Sequence, residues 1–353
     1  MSCPSRRVLE EIPADPFRER ERMPFHTRMQ ILGGEFCFEA DSARLLRLVQ
    51  LAYGKLPSHQ LRNVTPRFLV RLLLASKTHV LRRAADSRVQ SRPEGEPSAV
   101  RPLAAGGILC GAMESANFMA VTPAERSAIV VVSPDMLEFP YHIRYELLEF
   151  AVYMLAARVQ KLVPLHAACV GAHGRGILLL GPSGSGKSTV ALHCLLRGFD
   201  FLAEDSVLVR PEGLLATGVA NFLHVRPDAL RFLSDAGDAA LIRNSELIRR
   251  RSGVEKFEFD LRRPQYRLAP APLRLGAVAF ISPRRASKRG LLTPLGKPAL
   301  AQRIGAAQRY AASQPGWEQF AKRVSRLPAF ELRRGAHPRE AVAALRALLP
   351  DRP

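Results

Sequence analysis

The stretch that decides the fold is residues 176–209, which read GILLLGPSGSGKSTVALHCLLRGFDFLAEDSVLV. Residues 181–188 at its centre match the phosphate-binding pattern GxxxxGK[ST] without a mismatch. An apolar, strand-like run precedes them and a helical pattern follows, which is the order that a P-loop requires. The sequence therefore predicts a site for a nucleoside triphosphate.

The residue types of this loop suit a phosphate group for physical reasons. The glycines allow a backbone with positive φ, so that successive N–H groups can point inward at an anion without a Cβ in the way. The helix that begins near Lys187 adds its positive N-terminal end. Lys187 can reach the β- and γ-phosphates, and the Ser188 hydroxyl can complete the oxygen shell of a magnesium ion. The predicted nucleotide-binding residues are Gly181, Pro182, Ser183, Gly184, Ser185, Gly186, Lys187, Ser188 and Thr189.

Two acidic residues follow this loop closely. Glu204 and Asp205 come only 17 and 18 positions after Lys187. Between Lys187 and this acidic pair, the pattern predicts one short helix that stops at Gly198 and then an apolar strand over 199–203. The acidic pair should therefore lie at a strand end that faces the phosphates. An ABC-type ATPase is excluded, because the chain has no LSGGQ-like signature and no distant strand ending in Asp-Glu.

Three blocks of sequence resemble the catalytic domain of HPr kinase/phosphorylase and the related serine kinases. They are Leu165-His166-Ala167-Ala168 before the loop, the loop itself, and the short helix with the strand that ends at Glu204-Asp205. The likeness covers residues 164–230. The family generally has two aspartates where this chain has Glu-Asp, and its long glycine-rich signature is not recognisable here. The resemblance therefore indicates a related kinase rather than the bifunctional regulator itself.

The resemblance implies a fold, two cofactors and a set of roles. The fold is α/β, a P-loop kinase core of the HPr kinase/phosphoenolpyruvate carboxykinase type, and the cofactors are ATP and Mg2+. Glu204 aligns with the family's base, Asp205 and Ser188 would hold magnesium, and Lys187 and His166 complete the catalytic set. The exchange of roles between Glu204 and Asp205 remains an open alternative. The arginine-rich cluster at 249–260, three arginines before a glycine turn and an alternating strand, is either a phosphate or substrate clamp or a solvated basic turn.

The sequence divides into three parts by its patterns. Residues 1–24 form an N-terminal tail, residues 25–140 an N-terminal α+β module, and residues 141–353 the kinase domain with a basic C-terminal part that we expect to be mainly helical. The module opens with a hairpin signal at Gly33-Gly34 and a helix capped by Asp41-Ser42. It carries no chemistry that the sequence identifies, although it could select a substrate.

Charge and composition bound the partners and the location. The chain of 353 residues has a net charge of +20, and the excess lies outside the nucleotide-binding stretch, in residues 51–100 and 251–353. Such a field favours an acidic peptide or protein substrate, and it is equally typical of an arginine-rich proteome. No nucleic-acid-binding module accompanies the charge, so nucleic acid is not the favoured partner. No signal region or membrane span is evident, which predicts a cytoplasmic protein, and the family tendency suggests a homo-oligomer.

The sequence favours a kinase that transfers the γ-phosphoryl group of ATP to a hydroxyl, with a serine of a peptide or protein as the acceptor. Two alternatives stay open. The same core could serve a small-molecule kinase, or the chain could be a non-catalytic scaffold whose conformation depends on nucleotide. The sequence does not identify the acceptor, the base specificity or the capacity for phosphorolysis.

Overall fold

The computed structural model describes residues 23–75, 98–113, 116–286 and 290–349. These residues form three β-sheets with helices packed against them. The prediction of an α/β protein with a P-loop core is confirmed. None of the helices within the described ranges is long and apolar enough to cross a membrane.

The first sheet has seven strands in the order β1-β2-β3-β7-β6-β5-β4. Its strands are β1 (Phe25–Ile31), β2 (Gly34–Ala40), β3 (Arg67–Leu74), β4 (Arg101–Ala105), β5 (Ile108–Met113), β6 (Asn117–Thr122) and β7 (Ser127–Val132). The predicted hairpin is present, with β1 antiparallel to β2. Helix α1 (Ala43–Tyr53) follows, and the Ser42 side chain caps it by accepting a hydrogen bond from the Arg44 amide. Residues 84–102, whose content of Ser, Arg, Pro and Glu predicts a loop or linker, lie largely outside the described residues.

A long helical segment connects this sheet to the rest of the chain. It comprises the short helix α2 (Pro140–His142), a π-helical stretch (Ile143–Leu148) and helix α3 (Glu149–Gln160). Apolar residues of this segment share one buried core with the first sheet and α1. Tyr145, Glu149 and Tyr153 of this segment line a cavity that residues of the P-loop core also line. Backbone irregularity of the π type often accompanies a functional site.

The second sheet has nine strands and carries the P-loop. Its strands are β8 (Val163–His166), β9 (Ala168–Ala172), β10 (Arg175–Leu180), β11 (Asp200–Ala203), β12 (Ser206–Arg210), β13 (Leu215–Gly218), β17 (Leu273–Arg285), β18 (Leu292–Pro294) and β19 (Ala329–Arg334). The order is β11-β9-β10-β17-β13-β12-β8, and β19 pairs with both β17 and β18. Strand β10 runs parallel to β17, and both are almost entirely apolar where they pair. This central position explains why residues 177–180 read as an unbroken apolar run.

The remaining elements surround the P-loop. A third sheet consists of β14 (Phe222–Val225), β16 (Glu255–Asp260) and β15 (Glu246–Arg249), in that order. The helices of this half are α4 (Lys187–Leu196), α5 (Ala236–Arg243), α6 (Lys297–Ala307), α7 (Arg309–Ala312), α8 (Trp317–Val324) and α9 (Pro338–Arg346). The expectation of a mainly helical C-terminal part is incomplete, because β18 and β19 interrupt it. The alternating apolar residues of β19 extend the central sheet beside β17, and this tertiary pairing overrides local helix preference.

Phe36 anchors the core of the first sheet. It is fully buried and its ring stacks on Phe68 with centroids 4.5 Å apart. We expect Phe36→Ala to lower the free energy of unfolding by about 3–5 kcal/mol, because it deletes a large buried ring and leaves a cavity. The measurement is urea-induced unfolding followed by circular dichroism. The control is Phe118→Ala, since Phe118 is 37% exposed, and equal losses from both variants would contradict the packing described.

Candidate active site

The P-loop connects β10 to α4. Gly184 and Gly186 adopt φ of 77° and 102°, the left-handed region that side chains other than glycine rarely adopt. A Cβ built on either residue would meet no atom within 4 Å, so the space above the loop is open. Gly186 precedes the helix and supplies no side-chain cap, which leaves the first N–H groups of α4 directed at that space. Together these features form an anion-binding concavity at a helix N-terminus.

Lys187 is the first residue of α4 and its ammonium group turns back over the loop. The Nζ atom donates to the carbonyl oxygen of Gly181 at 2.9 Å, and it lies 3.4 Å from Nε2 of His166. The residue is only 7% exposed. Burial lowers the pKa of Lys187, while the charges of Asp205 and Glu204 oppose that change. The ammonium group is therefore held at the loop mouth by the Gly181 carbonyl, by His166 and by the field of two carboxylates.

The two acidic residues follow β11 directly, as the sequence predicts, but they occupy different environments. Glu204 is 6% exposed, and its Oε1 accepts a hydrogen bond from the Ser188 hydroxyl at 2.7 Å. The Asp205 side chain is 43% exposed, and its Oδ1 lies 3.1 Å from Nδ1 of His166. One carboxylate is thus built into the protein and the other is accessible to a ligand.

His166 connects Asp205 to the P-loop lysine. If Nδ1 carries the proton and donates it to Asp205, Nε2 is left as an acceptor for Lys187. The backbone of His166 is held by Gln308, whose side-chain amide accepts from its N–H at 2.8 Å and donates to its carbonyl at 2.9 Å. Gln308 is buried and follows α6, so the C-terminal region positions this histidine. Sequence reasoning missed Gln308, because a lone glutamine some 140 residues away leaves no local signal.

Glu204 continues into a buried polar chain. Its Oε2 accepts hydrogen bonds from the backbone N–H of His224 and, at the same 2.9 Å, lies against the ring Nδ1 of that residue. His224 stands directly opposite Glu258 in the antiparallel pair β14–β16, and its Nε2 lies 3.6 Å from Glu258 Oε1. Arg144 donates to the other oxygen of Glu258 at 2.6 Å, and both of these side chains are 3% exposed. The chain from Ser188 to Arg144 therefore runs across three separate parts of the fold.

This polar chain sets the ionisation of Glu204. Burial raises the pKa of Glu204, but the charge and hydrogen bonds of His224, the charge of Lys256 and the bond from Ser188 lower it to about 2. For His224 the effects have the opposite signs. Burial lowers the pKa of His224, but Glu204 and Glu258 raise it above its usual value. Glu204 is accordingly a stable carboxylate at neutral pH and a weak proton acceptor.

The depressed pKa of Glu204 predicts a pH dependence of stability. Because the folded-state pKa lies below the unfolded one, the stabilisation is complete above about pH 4.5 and is lost as the pH falls toward 2. We expect Glu204→Gln to remove this part of the acid sensitivity. The measurement is the urea midpoint of both proteins between pH 7 and 3. A constant difference between wild type and variant over that range would contradict the prediction.

The P-loop opens into a cavity of about 350 Å³ that gathers the predicted residues. Residues 182–189 of the loop line it together with Glu204, Asp205 and His166. Positively charged side chains from the third sheet and its flanks complete the wall. Those lining side chains are Arg226, Arg231, Arg250 and Lys256. Arg250 and Lys256 belong to the arginine-rich cluster that the sequence indicates, whereas Arg226 and Arg231 were missed.

The arginine-rich turn divides its side chains between two tasks. It is the β15–β16 hairpin turn, in which Gly253 adopts φ of 76°. Arg250 lines the cavity. Arg251 instead donates two hydrogen bonds, of 2.5 and 2.7 Å, to the carboxylate of Glu146. The position of Arg250 is therefore compatible with the phosphate-clamp hypothesis. Arg251 instead connects the hairpin to the π-helical segment.

The residues at the loop mouth fit a nucleotide-bound magnesium ion. Ser188 Oγ and Glu204 Oε1 lie together at the start of α4 and are oxygen donors of the kind that magnesium prefers. Magnesium in such sites needs only one or two protein ligands, since phosphates and water supply the rest. In the described part of the chain, no group of three or more His, Cys, Asp or Glu side chains could hold a metal ion by itself.

Comparisons with known proteins identify relatives for a short part of this chain. No protein-family model matches it. It is 44% identical over 55 residues to the HPr kinase/phosphorylase of Chlorobium chlorochromatii, a match that covers 16% of each protein. It is 38% identical over 58 residues to that of Listeria welshimeri, covering 16% of this chain and 19% of the relative. The match thus spans less than a fifth of the length of either relative.

A solved structure also matches. The Hpr(Ser) kinase/phosphatase from Coxiella burnetii aligns with 52% of this chain and 94% of its own length, at 10% identity and a TM-score of 0.26.

Proposed function

Because this chain is related to the HPr kinase/phosphorylases, we propose that it transfers the γ-phosphoryl group of ATP to the hydroxyl of a serine in a peptide or protein. One observation carries the proposal. The P-loop cavity brings Lys187, Ser188, Glu204, Asp205 and His166 together, with one carboxylate buried and one accessible. Phosphoryl transfer needs such a combination of phosphate cradle, metal ligands and base.

The nucleotide is expected to lie over the loop, with residues 181–189 contacting its phosphates. Free N–H groups of the loop and of the α4 N-terminus would bind the phosphate oxygens. Lys187 would exchange its bond to the Gly181 carbonyl for the β- and γ-phosphates. A magnesium ion bound to ATP would neutralise phosphate charge there, held by Ser188 and Glu204. This assignment exchanges the metal-binding roles of Glu204 and Asp205 that the family resemblance suggests.

The exchange follows from the environments of the two carboxylates. Both oxygens of Glu204 are occupied by Ser188 and His224, and its pKa of about 2 makes it a poor proton acceptor. Asp205 is half-exposed and is oriented by His166. A general base must reach the acceptor proton before its pKa matters. We therefore assign Asp205 as the base and His166 as the residue that orients it.

Arg250 and Lys256 would stabilise the charge on the transferred group. Burial lowers the pKa of Arg250, but nearby tyrosine and carboxylate groups raise it, so its guanidinium stays charged. Lys256 lines the same cavity. Cations placed around a transferring phosphoryl group act mainly in the transition state, where charge is spread over its oxygens.

The experiment is a labelling of extract from the source of the protein. Purified protein, magnesium and γ-labelled ATP are added, and label is compared in protein, peptide and small-molecule fractions, with Lys187→Ala as the control. The proposal predicts label on a serine in a peptide or protein that depends on Lys187. Label confined to a metabolite would instead indicate a small-molecule kinase. ATP binding without transfer to any fraction would indicate a nucleotide-dependent scaffold.

A further inference from the structure

A second cavity, of about 380 Å³, adjoins the P-loop cavity. The two cavities share five lining residues, namely His166, Glu204, Asp205, His224 and Arg250. These residues therefore border both cavities, and the proposed base is one of them. A group bound in the second cavity would lie against the residues that the proposed reaction uses.

The far side of the second cavity is aromatic and carries one carboxylate. Tyr145, Glu149 and Tyr153 contribute to it from the helical segment that joins the two halves of the chain. Their spacing of four residues places them on one face of that segment. Phe150 and Tyr310 add two further rings. Aromatic faces and a carboxylate are the groups that hold an ammonium or guanidinium ion.

Glu149 differs in its contacts from the other acidic residues near the two cavities. Glu146 is held by Arg251, Glu204 by His224 and Ser188, and Glu258 by Arg144. The half-buried carboxylate of Glu149 has no hydrogen bond and no salt bridge to any residue within the described ranges. A carboxylate that is partly withdrawn from water is stabilised by a positively charged partner.

Two further observations bear on the binding of a cation at this position. Burial raises the pKa of Glu149 to about 7, and the charge of Asp205 adds to this rise, while the charges of His224, Arg144 and Arg250 oppose it. The hydroxyl of Tyr145 is buried and has no hydrogen-bond partner among the described residues. A ligand with a positively charged N–H group would supply a hydrogen-bond donor for the Glu149 carboxylate and for the Tyr145 hydroxyl oxygen.

We propose that the second cavity binds the phosphoryl acceptor, and that this acceptor carries a positively charged nitrogen beside its hydroxyl, held by Glu149 and the surrounding rings. The inference rests on the proposed kinase function and adds the class of substrate. In a peptide, the nitrogen would belong to a lysine or arginine next to the serine, or to the free amino group of an N-terminal serine. Both sources offer the same chemistry to Glu149.

The reaction in this arrangement balances without a further reagent. The acceptor oxygen attacks the γ-phosphorus and forms the new O–P bond, while the bond from the γ-phosphorus to the β–γ bridging oxygen breaks and ADP leaves. The hydroxyl proton passes to Asp205. Glu149 takes no part in bond making, and its role is to position the acceptor.

The test uses a defined peptide mixture. Each peptide contains one serine. Three peptides are acetylated at the N-terminus and carry lysine, norleucine or glutamate beside the serine. A fourth peptide is unacetylated and begins with the serine. Purified protein, magnesium and γ-labelled ATP are added, and the label in each peptide is counted. The variants are Glu149→Gln and Glu149→Lys. The matched control is Glu138→Gln, because the Glu138 side chain is 76% exposed and forms a surface salt bridge with Arg44.

Two of the peptides are cationic: the acetylated peptide with lysine beside the serine, and the unacetylated peptide with serine first. We expect wild-type protein to label at least one of them about 10- to 100-fold better than the glutamate peptide, because one buried hydrogen bond to a charged group has an effect of this size. Glu149→Gln should bring that ratio toward one, and Glu149→Lys should invert it, while ATP affinity stays unchanged in both. Glu138→Gln should behave as wild type. The kind of cationic peptide that is labelled identifies the source of the nitrogen.

Two results would overturn the inference, and they differ in what they leave standing. Labelling of serine peptides with a ratio near one, or with a preference for glutamate, would overturn the acceptor class and leave the kinase function intact. Unchanged selectivity in Glu149→Lys would do the same. Absence of label from every peptide, while the extract experiment gives labelled protein, would also reject this acceptor class. Absence of transfer in both experiments would reject the kinase function itself.

Discussion

Replacing Asp205 by asparagine is expected to lower the turnover number for phosphoryl transfer by about 10²- to 10⁴-fold, the usual contribution of a positioned general base. Asparagine keeps the size of the side chain and can still meet His166, but it cannot accept the hydroxyl proton. Because Asp205 is half-exposed and outside the buried polar chain, ATP affinity and the urea midpoint should stay close to wild type. The measurement is single-turnover transfer from γ-labelled ATP to the acceptor identified in extract.

Glu204→Gln is the matched comparison for this variant. It should also slow transfer, but its loss should be partly recovered at high magnesium concentration, since Ser188 and the loop remain to bind the metal-nucleotide complex. Asp205→Asn should not respond to added magnesium. The reverse pattern, with magnesium rescuing Asp205→Asn only, would return the two carboxylates to the roles that the family resemblance implies.

Lys187→Ala is the second variant with a large expected effect. We expect it to lower the transfer rate by roughly 10²- to 10³-fold, the usual cost of deleting one positioned donor to developing negative charge. Lys187 is held at the loop mouth by Gly181 and His166, so it is already close to where the phosphates would lie.

The control for that variant is Lys322→Ala. Lys322 is an exposed lysine of α8, and its replacement by alanine changes the net charge by the same amount as Lys187→Ala. Lys187→Ala should also weaken ATP binding measured by calorimetry, and Lys322→Ala should alter neither quantity. Similar losses from the two variants would mean that overall charge, and not contact with phosphate, governs the reaction.

Local sequence patterns are sufficient to predict where the P-loop and the acidic pair lie in the fold. The P-loop needs glycines at particular positions, a lysine and a hydroxyl within eight residues, and the strand and helix on either side have their own apolar periods. The short distance from Lys187 to Glu204 also places the acidic pair at the adjacent strand end, where it is found. Each of these features depends on residues that are close along the chain.

The sequence does not show how the two carboxylates differ. Their distinct environments come from His224, which lies in β14, and from Glu258 and Arg144, which meet it across the third sheet. These contacts join residues 20 to 114 positions apart. An isolated histidine in the apolar run 222–225 was the one available signal. For the same reason β19 was missed, since its partner β17 lies about 50 residues earlier.

Charge illustrates the difference between a whole-chain property and a site. The net charge of +20 suggests that acidic partners are attracted at long range. The second cavity presents the carboxylate of Glu149 beside Asp205, Arg250 and several rings. Contact with this cavity selects what enters, whereas the overall field affects only how fast a partner arrives. An acidic protein with a basic residue beside its serine would satisfy both.

The most direct test of this account is a crystal structure of the protein with magnesium and a non-hydrolysable ATP analogue. The account predicts that the phosphates lie over residues 181–189, that Lys187 contacts the terminal phosphate, and that the metal binds the Ser188 hydroxyl on the Glu204 side. Asp205 should stay free of the metal and face the second cavity. A metal held by Asp205, with Glu204 released from His224 and directed at the terminal phosphate, would contradict the assignment. A nucleotide bound outside the P-loop cavity would contradict the proposed function as a whole.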